Sequence, residues 1–132
     1  NTLQLSSNAA TAYSNAVAYV DSRGQTKSLT VTSPVNTDII TMFYTTKTLT
    51  INSAIVVLPL ANTSPNLTFS IISGSSRATE SVFNVNSQSV SNITTGSIVT
   101  VANASIASNT FVWTKITGVS GTIPEFHITL KF

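Results

Sequence analysis

The chain has 132 residues, of which 42% are hydrophobic and only 8% are charged, whereas about a quarter of the residues in an ordinary soluble domain carry a charge. Its length fits one domain with a hydrophobic core, and the absence of Cys excludes disulfides and cysteine-ligated zinc. The net charge of +2 comes from basic residues that are scattered along the chain, so we expect no nucleic-acid partner, which would need a cluster of Lys and Arg.

The first predicted element is an N-terminal tail, residues 1–20, without charge, Gly or Pro. It is a poor helix candidate because it lacks an apolar stripe and carries Ser, Asn and Thr throughout. We expect an extended strand, which needs a partner: either its own sheet or a neighbouring subunit that receives the strand. The donor-strand residues under this hypothesis are small or apolar, namely Leu3, Leu5, Ala10, Ala12, Ala16, Ala18 and Val20.

Alternating apolar and polar residues predict strands along the rest of the chain, residues 21–132. In chain order the predicted strands cover 28–32, 38–46, 48–51, 55–60, 67–71, 81–85, 98–101, 110–117 and 126–132. Within them, Phe83 and Val85 are expected on one face, and so are Phe111 and Trp113. Turn residues separate the strands, including 62–66 and 118–124. This spacing favours an all-β fold, a single antiparallel β-sandwich that is Ig-like or jelly-roll-like, with the extended N-terminal tail.

Side chains suited to catalysis or metal binding are scarce. The acidic residues are Asp21, Asp38, Glu80 and Glu125, and His127 is the one histidine. Because His127 alternates with the apolar residues of the last strand, we expect it on the solvent face or at an interface rather than in a catalytic triad. No spacing of carboxylates indicates a calcium loop or a glycosidase pair. We therefore predict no enzyme, no metal and no cofactor.

Aromatic residues leave one binding alternative open. Trp113, Tyr13, Tyr19 and Tyr44 are candidates for a sugar-binding platform. The simpler interpretation of Trp113 is a core residue, because it shares a predicted face with Phe111.

Four Asn-X-Ser/Thr sequons predict N-linked glycans at Asn62, Asn66, Asn92 and Asn103. A chain with 42 Ser and Thr and 12 Asn produces about this number by chance. The sequons and the start at Asn1 rather than Met favour an extracellular protein from which a leader has been removed. No apolar run is long enough for a transmembrane helix, so we expect no membrane span.

A cysteine-free, charge-poor β-domain that is rich in Ser, Thr and Asn and carries these sequons resembles the thread-type surface filament subunits of the Sulfolobales, which are thermoacidophilic archaea. The resemblance implies a glycosylated β-domain whose N-terminal strand inserts into the next subunit. It places the donor strand within residues 2–20 and implies glycans on Asn62, Asn66, Asn92 and Asn103. The tail differs from type IV-like pilins, which begin with a long apolar helix.

The resulting hypothesis is a structural subunit of an extracellular cell-surface filament that supports adhesion or cell–cell contact. Its main partners would be copies of itself in a linear homopolymer, and cell-surface glycans are a further expected partner. Two alternatives stay open: a viral capsid or fibre β-domain of jelly-roll type, and a monomeric carbohydrate-binding adhesin domain.

Overall fold

The computed structural model describes residues 25–132. The predicted donor-strand residues and the proposed boundary at residue 20 lie outside this range. The described residues form ten β-strands and no helix. The strands are β1 (Thr26–Thr32), β2 (Ile39–Thr45), β3 (Leu49–Thr50), β4 (Ser53–Val57), β5 (Asn62–Gly74), β6 (Val82–Val90), β7 (Ser97–Val99), β8 (Ser105–Ile106), β9 (Thr110–Thr122) and β10 (Glu125–Lys131).

The strands pair in three antiparallel sheets, which confirms the all-β antiparallel class. The first sheet has the order β1-β10-β4-β7, and the second has the order β2-β9-β5-β6. Strands β3 and β8 form a separate pair. Every strand pairing is antiparallel.

The two four-stranded sheets contribute to one hydrophobic core. The alternation predicted for the last strand is confirmed, because Phe126, Ile128 and Leu130 are fully buried in that core. The Phe126 ring from the first sheet meets the Phe69 ring from the second, with 5.1 Å between their centroids. Period-two alternation therefore directs one face of each sheet inward, as burial of apolar area requires.

Two sequence predictions near the ends of strands are wrong. Residues 118–122 continue β9 and residues 62–66 begin β5, although both segments contain residues typical of turns. Both segments stay within strands although their backbones are irregular, since Thr63 and Gly121 have positive φ angles of 62° and 75°. Asn62 pairs with Thr122, so the two longest strands remain together to their ends.

The prediction that Phe83 and Val85 share a face is also wrong. The register between β5 and β6 shifts between Ile71 and Ile72, so Val85 pairs with Ile71 and Phe83 pairs with Ile72. Val85 and Ile71 belong to the core, whereas the buried Ile72 does not. A bulge adds one residue to one strand and so reverses the faces beyond it.

A buried side-chain amide on β6, that of Asn84, holds residues 103–105 at the start of β8 against β6. Asn84 has no exposed surface, and its Oδ1 accepts a 2.7 Å hydrogen bond from the Ser73 hydroxyl. Its Nδ2 donates to the carbonyl oxygens of Asn103 and Ser105 at 2.9 and 3.0 Å. Both N–H groups of the side-chain amide donate a hydrogen bond and its oxygen accepts one, as burial of a polar group demands.

Candidate functional site

The outer face of the first sheet carries an exposed apolar cluster, which we call the isoleucine patch: Ile55, Val57 and Ile98. Ile98 lies on the edge strand β7 and exposes 76% of its surface. It pairs directly with Ile55 on β4, and Val57 follows two residues later on the same face. An exposed branched side chain beside two partly exposed ones is a candidate contact surface.

Polar groups on β10 border the isoleucine patch. His127 pairs with Val57 across the sheet, and Thr129 pairs with Ile55. The Nε2 atom of His127 lies 3.0 Å from a carboxylate oxygen of Glu125, and their side chains are 41% and 40% exposed. His127 therefore lies on the outer face of the first sheet, which fits the prediction of a solvent-face or interface position. An apolar centre beside polar groups is the usual anatomy of a protein interface.

The outer face of the second sheet is aromatic and charged, because a bulge in β2 brings Thr41 and Tyr44 to the same face. Thr41 pairs with Trp113 and Tyr44 pairs with Phe111, with the register shift between Thr41 and Phe43. Residues three apart in a regular strand would face opposite sides. The rings of Tyr44 and Phe111 meet edge to face at 4.9 Å, and Tyr44 exposes 49% of its surface.

The connection between β5 and β6, residues 75–81, folds back over this face. Its Arg77 guanidinium lies 5.6 Å from the centre of the Trp113 ring and donates a hydrogen bond to the Thr41 hydroxyl. Trp113 is only 1% exposed, yet it lies outside the central core cluster. The predicted burial of Trp113 and its shared face with Phe111 are therefore confirmed. Trp113 is covered by Arg77 and its loop instead of by the central core.

A salt bridge holds the far end of the same loop. The Lys115 ammonium lies 2.6 Å from a Glu80 carboxylate oxygen, and the two side chains are 36% and 39% exposed. The loop passes close to the sheet at Gly74, where a Cβ atom would lie 2.9 Å from the Ser81 hydroxyl oxygen. We call Thr41, Tyr44, Arg77 and the Glu80–Lys115 pair the Tyr44 patch.

The four sequon asparagines differ in their surroundings. Asn62, Asn66 and Asn103 are exposed, whereas Asn92 is half-buried. The Asn92 Oδ1 accepts hydrogen bonds from the backbone amides of Thr94 and Thr95, and its Nδ2 donates to the Thr95 hydroxyl at 3.0 Å. A glycan bonded to that nitrogen would have to compete with the turn that Asn92 stabilises. Glycosylation at all four sites remains a prediction.

Within residues 25–132, no group of three or more His, Asp or Glu side chains is placed to hold a metal ion. The same part of the chain contains no helix of the length and apolarity needed to cross a membrane.

Neither patch was identified as such from the sequence. Ile55 and Ile98 are brought together by the pairing of β4 with β7, and Arg77 reaches Thr41 across 36 positions of the chain. The proposed donor-strand residues, from Leu3 to Val20, lie outside the described residues. No protein-family model matches this chain, and no curated protein is significantly similar to it in sequence.

Proposed function

We propose that this chain is a non-enzymatic structural subunit that assembles with copies of itself into an extracellular or viral fibre or shell, built on a jelly-roll β-sandwich. The observation that carries the proposal is the isoleucine patch on an outer sheet face. In a chain with so few charges, self-association through such a patch removes apolar surface from water without needing salt bridges.

The strand order supports the jelly-roll type over the Ig type. Apart from the two-residue strands β3 and β8, successive strands pass from one sheet to the other, and only β5 and β6 are consecutive neighbours in a sheet. Ig sandwiches place several consecutive strands side by side in one sheet. Jelly rolls are common in viral capsids and lectin domains.

Assembly by strand donation, the filament hypothesis, is the second candidate. Both four-stranded sheets have buried inner faces in the described residues. A donated strand would therefore add to the edge of one of these sheets instead of filling a gap within a sheet. The edge best suited to receive it is β1, since β7 has three residues, β2 carries a bulge, and the pairing of β6 with β5 has two register shifts. The resemblance to archaeal thread subunits rests on sequence and stays a prediction.

Light scattering coupled to size-exclusion chromatography separates the two modes of assembly. The full chain and a chain that begins at residue 21 are compared at equal concentration, with thermal melts to verify that both fold. Assembly through the isoleucine patch predicts oligomers from both. Strand donation predicts polymers from the full chain and monomers from the shortened one. Monomers from both chains at high micromolar concentration would contradict the proposed function.

A further inference from the structure

We propose that the Tyr44 patch binds an acidic saccharide, with a sugar ring on Tyr44 and a carboxylate on Arg77. This activity is separate from self-association, because the Tyr44 patch and the isoleucine patch lie on different sheets.

Tyr44 provides a rigid stacking surface. Half of its surface is exposed, and the Phe111 ring packs against it edge to face at 4.9 Å. The negative face of an aromatic ring attracts the weakly positive C–H groups of a pyranose. Because a neighbouring ring already restrains Tyr44, little conformational entropy is lost on binding.

Arg77 provides the positive charge. The three side-chain carboxylates within residues 25–132 all have other partners: Asp38 accepts from the Val35 amide, Glu80 binds Lys115 and Glu125 binds His127. Arg77 contacts a hydroxyl and an aromatic face, so its guanidinium lacks a carboxylate in the described part of the chain. A guanidinium can hold a carboxylate through two parallel hydrogen bonds.

The spacing of these groups fits a short oligosaccharide. Phe111, Trp113 and Lys115 occupy successive outward positions of β9, which are about 7 Å apart along a strand. Each contacts one member of the Tyr44 patch: Phe111 contacts the Tyr44 ring, Trp113 contacts Arg77, and Lys115 contacts Glu80. The patch therefore presents an aromatic ring, a cation and a paired donor and acceptor in a row about 14 Å long. Alternating ring faces and hydroxyl or carboxyl groups are the chemistry of an acidic oligosaccharide.

The test uses the full chain and two matched probes, tetragalacturonate and its methyl ester, which differ in charge but keep the sugar rings. Trp113 is the only tryptophan of the chain and lies under Arg77, so its fluorescence reports on the patch. Calorimetric titration gives the dissociation constants independently. We expect the acid to bind about tenfold more tightly than the ester, since ionised hydrogen bonds are the stronger ones.

Four variants locate the binding. Tyr44→Leu removes the ring and should weaken tetragalacturonate binding at least tenfold, whereas Tyr44→Phe should change it less than threefold. Arg77→Gln should remove the preference for the acid over the ester. Lys131→Gln removes the same charge from the last strand, on the first sheet, and should leave binding unchanged. Thermal melts establish that each variant folds.

Three results would overturn the proposal. These are the absence of binding to the unmodified chain at millimolar tetragalacturonate, equal binding of the acid and the ester, and unchanged affinity in both folded Tyr44→Leu and Arg77→Gln.

Discussion

Replacing Asn84 with Ala is expected to destabilise the fold strongly, because this fully buried side chain makes three hydrogen bonds. At about 1 kcal/mol for each bond, the free energy of unfolding should fall by about 3 kcal/mol, and the polar partners left unpaired increase the loss. The backbone carbonyl of Asn84, which accepts from Ala102 and Asn103, is unaffected by the substitution. The effect therefore measures the side-chain amide.

Urea denaturation provides the measurement, and Asn86→Ala is the matched control. Asn86 lies on the same strand, but its side chain is exposed. For a domain of this size a loss of about 3 kcal/mol lowers the urea midpoint by roughly 1–3 M. Asn86→Ala should change the stability by less than about 0.5 kcal/mol. A loss below about 1 kcal/mol for Asn84→Ala, or equal losses for both variants, would refute the reasoning.

Three further predictions concern the core, a strand end and the Trp113 cover. Thr114→Val should raise stability by about 1–3 kcal/mol in urea denaturation, because the buried Thr114 hydroxyl has no hydrogen-bond partner; a destabilised variant would contradict this. Gly121→Ala should cost about 2 kcal/mol or more, since its φ is +75° and a Cβ would lie 2.7 Å from the Thr63 carbonyl oxygen. Gly118→Ala, where the nearest atom is 3.5 Å away, should cost less; equal losses would count against the argument. Arg77→Gln should shift Trp113 emission to longer wavelength, because it uncovers the ring; unchanged emission would show that Arg77 is not its cover.

The regular strands could be predicted from the sequence because their alternation is unbroken. In β10 the apolar residues Phe126, Ile128 and Leu130 define a buried face without any knowledge of neighbouring strands. The burial of Trp113 and its shared face with Phe111 followed from the same period of two.

The pattern failed where the backbone departs from that period. The bulge in β2 and the register shifts between β5 and β6 reverse faces without a composition signal, so the common face of Thr41 and Tyr44 and the separation of Phe83 from Val85 were not predictable. Gly118 and Gly121 are typical turn residues, yet both lie within β9, and a Cβ at Gly121 would lie 2.7 Å from the Thr63 carbonyl oxygen.

The contacts that define the two patches depend on long-range pairing. Ile55 and Ile98 meet because β7 pairs with β4, and Glu80 meets Lys115 across 35 positions of the chain. The local sequence around each of these residues gives no sign of its contact. Their grouping depends on the strand order, which local periodicity does not specify.

Sedimentation velocity of the full chain with Ile98→Glu tests the central claim, self-association through the isoleucine patch, most directly. Ile39→Glu is the matched control, because Ile39 is also exposed at the edge of a sheet, but of the second one. A charge buried in an apolar interface costs several kcal/mol, and each 1.4 kcal/mol is tenfold in affinity. The account predicts oligomers for the unmodified chain and Ile39→Glu, and monomers for Ile98→Glu. Oligomers of unchanged size with Ile98→Glu would contradict it.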